Sequence, residues 1–267
     1  MLTLRRLAFS ALLPLIWILA GCVAVPTAPD AATLALLAPA GSLRVGVYPG
    51  SPTSMVAVGK SGDKAGVAHD LGIALGAKLG VPVKLVEFAR VAQVIDALKA
   101  GDVDFTFTNA SESRMRDVAF APTLLRLELG YLVLPDSSIK AISDVDQAGM
   151  RVGVSQGSTS QGVLGRQFKN AKLVPAASLT QAQDLLRQHA IDAFATNKGI
   201  LFELSDALPG ARVLDGRWGF EALAIAIPKG REAGLPYLLR FGQDAADSGQ
   251  LQAMVQRAGL RGTARSE

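Results

Sequence analysis

The sequence predicts an α/β protein of two lobes, each an open, mostly parallel sheet wrapped by helices, joined by two chain crossings. Three observations carry this reading. Short apolar runs of strand length alternate with segments of helical spacing, the pattern of parallel sheets with crossover helices. One run, Leu43-Arg44-Val45-Gly46-Val47, returns as Met150-Arg151-Val152-Gly153-Val154. The echo continues downstream: Gly101-Asp102-Val103-Asp104-Phe105-Thr106-Phe107-Thr108-Asn109 is matched by Ala190-Ile191-Asp192-Ala193-Phe194-Ala195-Thr196-Asn197, and both end in Thr-Asn.

Composition limits the function classes. With 267 residues, 49% hydrophobic and 19% charged, the chain is long enough for one large or two modest domains with real cores. The formal charge of +4 includes Arg5 and Arg6; without them, 25 basic residues face 23 acidic ones. No basic run or stripe remains, so no nucleic-acid partner is expected. Two histidines and one cysteine cannot build a His/Cys metal cluster, and no metal or other cofactor is expected, although counting alone leaves an all-carboxylate site open.

Residues 1–21 read as a signal segment: Arg5 and Arg6, an apolar stretch over residues 7–20, then small residues. Leu19-Ala20-Gly21-Cys22 resembles the bacterial lipoprotein signal, which makes Cys22 the acylated residue and lipid anchor. An uncleaved membrane span and an ordinary cleaved signal remain alternatives. The resemblance places the protein on the periplasmic side of the cell envelope, and Val23 after the cysteine favours outer-membrane sorting in a Gram-negative cell. Residues 22–41, Ala/Pro-rich, read as a tether with one helical turn, able to reach about 66 Å when extended.

From there the elements follow in order. Residues 43–47 form a buried strand closed by Pro49-Gly50-Ser51-Pro52. Residues 67–79 form a helix capped by Gly80, residues 83–88 the next strand, and residues 91–99 an amphipathic helix. In the second half, residues 150–154 open on a small-residue loop, and residues 180–188 are helical. Residues 221–227 form a further strand, and residues 235–241 and 251–258 amphipathic helices without counterparts in the other half. The simplest topology leaves lobe 1 near residues 131–135 and returns near 218–226. Lobe 1 then comprises 42–132 and 220–262, lobe 2 133–219, and 263–267 is a tail.

These pieces together resemble the extracytoplasmic solute-binding proteins of family 3, best known as amino-acid receptors of ABC transporters, with the type II periplasmic-binding-protein fold. The resemblance spans residues 41–262 and rests on order and spacing: Gly66-Val67-Ala68-His69-Asp70-Leu71, Gly101 to Asp104, Ser111-Glu112-Ser113-Arg114 six residues before Phe120, Gly157-Ser158-Thr159, and Ala226-Ile227-Pro228-Lys229-Gly230, besides the two echoed strands. It implies a monomer that closes on a small acidic solute, an amino acid or another small carboxylate or anion, and hands it to an inner-membrane permease.

In this family the arginine of a Thr-x-x-Arg pattern grips a ligand carboxylate, which implies that role for Arg114, with Ser111 in the threonine position; a guanidinium offers paired donors to a carboxylate. Gly157, Ser158 and Thr159 follow a strand and open a helix, where backbone N–H groups form an anion site. Tyr48 and Asn109, at strand ends, and Asn197 complete the expected lining. Asn197 stands where amino-acid binders usually carry an Asp for the α-ammonium, and it precedes Lys198. An amide cannot neutralise a cation, so an anion without an amine stays as open as an amino acid, and Asn197 as a helix cap is equally open.

Enzymatic readings rank below the receptor. Gly153-Val154-Ser155-Gln156-Gly157 fits a nucleophile elbow. Its triad, however, would need His189 and Asp184 from one short helix to converge on Ser155. The resemblance also includes periplasmic dehydratases of cyclic carboxylates, in which Glu112 or Glu221 could act as general acid if desolvated; as ordinary residues these are a helix-start charge and a hinge-side surface charge. His69 reads as an exposed helix start. A ligand sensor without transport is a further alternative.

Overall fold

The computed structural model describes residues 29–59 and 62–264. The signal segment, Cys22 and the start of the tether lie outside them; among the described residues no helix is long and apolar enough to cross a membrane.

The segment read as a tether joins the folded body earlier than its composition implied. Asp30 caps helix α1 (Ala31–Leu37) by accepting a hydrogen bond from the Thr33 amide at 2.7 Å. Leu37 is buried in the first core, Leu34 and Leu36 pack against it, and Arg231 reaches the Leu36 carbonyl. Burying Leu37 and half-burying Leu34 and Leu36 outweighs the chain entropy that a Pro/Ala-rich segment would otherwise keep.

Strand β1 (Leu43–Val47) leads through a small hairpin, β2 (Val56–Val58) and β3 (Asp63–Ala65), into helix α2 (Val67–Leu79), which ends at Gly80 in the left-handed conformation, as its position predicts. β4 (Val83–Glu87) pairs parallel with β1 from Leu43↔Val83 to Val47↔Glu87. Helix α3 (Val91–Ala100) then returns the chain to β5 (Thr106–Asn109), next to β1 through a parallel bridge at Val45↔Phe105. Short helix α4 (Glu112–Met115) and β6 (Val118–Phe120) precede the long strand β7 (Leu125–Val133). The second half repeats the theme: β8 (Arg151–Ser155), α5 (Thr159–Gln167), β9 (Lys172–Ala176), α6 (Leu179–Arg187), β10 (Ala193–Asn197), α7 (Lys198–Asp206) and the short β11 (Arg212–Val213). β12 (Gly219–Pro228), α8 (Leu235–Asp247) and α9 (Gln250–Arg257) complete the first half.

β7 and β12 make the two crossings. Their first halves pair antiparallel with each other, Gly219↔Leu129 to Leu223↔Leu125. Beyond this, β12 runs into lobe 1 beside β5 and β6, and β7 runs into lobe 2 beside β10 and β11. The main sheet therefore has the order β5-β12-β7-β10-β8-β9, parallel among β10, β8 and β9 and antiparallel along the crossing strands. The first crossing is made by β7, which pairs with β12 up to Leu129 and with β10 and β11 from Leu129 to Val133.

The echoed motifs are one device used twice. The Arg44 amide and guanidinium all bond Asp104 (3.0, 2.8 and 2.6 Å), and the same atoms of Arg151 bond Asp192 (2.7, 3.1 and 2.7 Å). Each pair ties the first strand of its lobe to the turn before the strand carrying Thr-Asn. In lobe 1, Arg231 adds a second guanidinium to Asp104 at 2.7 Å. Burial alone would raise the Asp104 pKa; the bonds from the two arginines more than offset this and hold it below the usual carboxylate value. His69 is not an exposed helix start: its side chain is 12% exposed and its Nδ1 lies 2.7 Å from Asp70 Oδ1, which also accepts from Arg257 on α9. That aspartate stitches α2 to α9.

The two lobes touch through an apolar seam. Tyr48, Val91 and Val94 of lobe 1 share a buried cluster with Leu179, Ala182 and Leu186 of lobe 2.

Candidate functional site

Strands β5 and β10 both end at the junction of the lobes, because each follows the same Arg–Asp turn and each adjoins a crossing strand, β5 beside β12 and β10 beside β7. Their Thr-Asn pairs, Thr108-Asn109 and Thr196-Asn197, therefore line one cavity, together with Tyr48, Thr53, Arg90 and Arg114 of lobe 1 and Ser155, Ser158 and Ser160 of lobe 2. Glu221, on crossing strand β12, also faces it. The enclosed space is about 30 Å³, room for a water molecule or two. A solute larger than a few atoms fits only if the lining moves apart.

Arg114 is 8% exposed. Its Nη1 donates to Thr108 Oγ1 (2.8 Å) and to the Asn109 carbonyl (3.3 Å), which fixes the plane of the guanidinium. Among the described residues its Nε and Nη2 bond no side chain, so one edge of the fork remains for a carboxylate. Burial lowers its pKa, partly countered by Glu221; an arginine remains charged regardless.

Glu221 is 9% exposed, so it is not the hinge-side surface charge that its position in the sequence implied. It is the second residue after Gly219 on a strand whose alternate positions face the core, and pairing with Leu127 turns its carboxylate inward. Burial raises its pKa, partly countered by Arg114 through space and by a hydrogen bond from Asn197 Nδ2 at 3.1 Å. Arg114 and Glu221 thus sense each other's charge without bonding each other.

Asn197 acts in two ways at once. Its Oδ1 caps α7 by accepting from the Ile200 amide (3.1 Å), and its Nδ2 holds Glu221. An Asp at 197 would set two buried carboxylates against each other; the amide avoids that repulsion. Lys198 points away from the cavity into an ion pair with Glu128 at 2.7 Å.

Of the residues singled out from sequence, Arg114, Ser158, Asn197, Tyr48 and Asn109 meet in this cavity. Ser111, Gly157 and Thr159 do not; they line a wider cleft of about 660 Å³ on its outer side, which shares Arg114 and Ser158 with the cavity. There Thr159 Oγ1 donates to Ser111 Oγ across the cleft at 3.4 Å. Ser158 caps α5 by accepting from the Gln161 amide, and the Gly157 amide donates to Gln161 Oε1 at 2.6 Å, so that amide is not available to an anion. Glu112 is exposed in the same outer cleft. Thr108 and Thr196 were marked by the echo itself; Arg90 carries no signal in the sequence.

Ser155 lines the cavity, but the two histidines lie elsewhere: His69 pairs with Asp70, and His189, 62% exposed, faces Asp136 at 3.9 Å. Neither histidine lines the cavity with that serine.

Gly157 sets how closely the lobes approach. Its φ is +73°, and a Cβ there would lie 2.7 Å from the Ala92 Cβ across the cleft. Gly157→Val is expected to hold the lobes apart and weaken ligand binding at least about tenfold, by depleting the closed state. Calorimetry, with small-angle scattering of the ligand-saturated protein, checks this; undiminished affinity with normal closure contradicts it.

The same architecture occurs in solved structures. The P235GK mutant of ArgBP from T. maritima is 21% identical and superposes with a TM-score of 0.76 over 85% of this chain and 99% of that one. An ancestral amino acid-binding protein, a precursor of cyclohexadienyl dehydratase, is 24% identical with a TM-score of 0.73 over 84% and 98%. A solute receptor for L-cysteine of Neisseria gonorrhoeae is 21% identical with a TM-score of 0.74 over 85% and 92%. These likenesses establish the type II periplasmic-binding-protein fold. No curated protein is similar enough in sequence to count as a relative. Residues 43–259 match the bacterial extracellular solute-binding proteins, family 3, and the chain belongs to that family.

Proposed function

We propose that this protein is the receptor component of an ABC-type uptake system and that it closes its lobes on the zwitterion of an α-amino acid. The observation that carries the reading is the pair Arg114 and Glu221, two opposite charges buried in one cavity yet not bonded to each other. Unpaired buried charges are costly, and a ligand with a carboxylate at one end and an ammonium at the other relieves both. Glu221 supplies the anion missing at position 197, which favours an amino acid over an anion without an amine. Thr108, Asn109, Ser158 and Asn197 are within the same lining to accept and donate the remaining bonds.

Binding and closure are one equilibrium. Arg114 stands on lobe 1, Ser158 and Asn197 on lobe 2, and Glu221 on a crossing strand, so only the closed form contacts both ends of the ligand. We assign 42–132 with 220–262 and 133–219 as the moving bodies, hinged in β7 and β12, and the closed monomer as the form presented to the permease. With lipid at Cys22, α1 docking leaves only residues 23–29 between anchor and folded body, a reach of about 25 Å, so lobe 1 stays near the bilayer.

The test is native mass spectrometry of the purified full chain in detergent, followed by denaturation to release bound solute. An intact α-amino acid supports the receptor; a bound acid lacking an amine overturns the zwitterion. A second reading has one observation in its favour: the raised pKa of buried Glu221 also suits a general acid, and a precursor of a dehydratase shares the fold. Conversion of a cyclic carboxylate during incubation would establish that reading instead.

A further inference from the structure

The cavity contains a third charge that the zwitterion does not use. Arg90 lies between β4 and α3, at the N-cap position of α3, where its side chain makes no capping bond. It lines the same cavity as Arg114 and Glu221. Its Nε is fully buried and has no hydrogen-bond partner, and no ion pair involves it among the described residues. Tyr48, the other titratable group in the lining, has its pKa raised by burial and is neutral. The lining therefore holds two guanidinium groups and one carboxylate.

We infer that Arg90 binds a side-chain carboxylate, so that the ligand is an acidic α-amino acid of aspartate or glutamate size. This rests on the zwitterion reading. An α-carboxylate and an α-ammonium satisfy Arg114 and Glu221 and leave the half-buried Arg90, whose Nε is buried without a partner. A neutral ligand leaves the buried Arg90 Nε without an acceptor, and a cationic side chain adds repulsion. A second carboxylate balances the lining and offers the fork geometry a guanidinium binds best. The discrimination is against isosteric amides, since aspartate and asparagine differ by little except this charge.

The experiment is titration calorimetry of the full chain in detergent with L-aspartate, L-asparagine, L-glutamate and L-glutamine, repeated for Arg90→Gln, Arg90→Lys and Arg114→Ala, each checked for folding by thermal melting. At least one dicarboxylate is expected to bind about tenfold or more tighter than its amide. Arg90→Gln should remove that preference while changing amide binding by less than about threefold, and Arg90→Lys should keep part of it. Amides binding as tightly as acids, or Arg90→Gln weakening all four alike, overturns the inference. The two failures are separable: amino acids that bind without acid preference, yet need Arg114, refute only the role of Arg90. Absence of binding by any of the four, or binding that survives Arg114→Ala, refutes the zwitterion reading beneath it.

Discussion

Replacing Arg114 with alanine is expected to weaken amino-acid binding by at least about a hundredfold and to leave the fold standing. Removing one member of a desolvated, hydrogen-bonded charge pair in an interface costs about 2–5 kcal/mol, or roughly 30- to several-thousand-fold in affinity. The fold survives because the Arg114 side chain supports little beyond the site. Its bonds go to one threonine hydroxyl and one carbonyl, the strand they belong to is held by β12, and burial already works against its charge. Calorimetry gives the affinity, and melting shows whether the protein stays folded. Unchanged affinity in a folded variant would mean that the carboxylate is gripped elsewhere. Arg114→Lys should recover only part of the binding, because an ammonium cannot present two parallel donors.

The second large effect belongs to Glu221→Gln, and its sign depends on the ligand. Without ligand, burial raises the Glu221 pKa, so the folded protein holds its proton more tightly than the unfolded chain. The stability this contributes is fully present below the unfolded glutamate pKa and is lost as pH rises through the folded value. Glutamine cannot ionise and escapes that loss. The ligand-free variant should therefore melt above the parent at neutral pH and level with it near pH 4, where an ordinary glutamate is largely protonated. With an amino acid bound, the order inverts: the ammonium loses its anion and affinity falls about a hundredfold. Paired melting curves across this pH range, with and without ligand, check both halves. A variant that binds amino acids normally would remove Glu221 from the site.

How much of this was legible in the sequence differs by element. The helices at residues 67–79 and 91–100 announce themselves through apolar spacing and a glycine at each C-cap, both local properties. The strand–helix alternation and the Arg/Asp echo point to the parallel pairing of each lobe, because Arg44–Asp104 and Arg151–Asp192 repeat one device at similar places in each half. Arg114 was expected from the Thr-x-x-Arg pattern of the family the sequence resembles, and Asn197 from a family position usually held by Asp; the Thr-Asn echo marked Asn109 and Asn197 as strand ends. Ser111, Gly157 and Thr159 sit close by in sequence but face the outer cleft, since a helix start turns successive residues to different sides.

What the sequence alone determined was the α/β class, the internal repeat, the Arg114 register and the family, since all rest on contacts between residues near in the chain or on repeated spacing. Only the tertiary structure decided that residues 31–37 dock on lobe 1, that Asn197 bonds Glu221, and that Arg90, Arg114 and Glu221 share one small cavity. These depend on which face of β12 turns inward and on how two lobes meet. Residues 24 and 107 positions apart are brought together by β-sheet pairing across the crossings, and no local pattern encodes the placement that sets half-buried Arg90 and buried Glu221 in one lining as candidate determinants of the ligand.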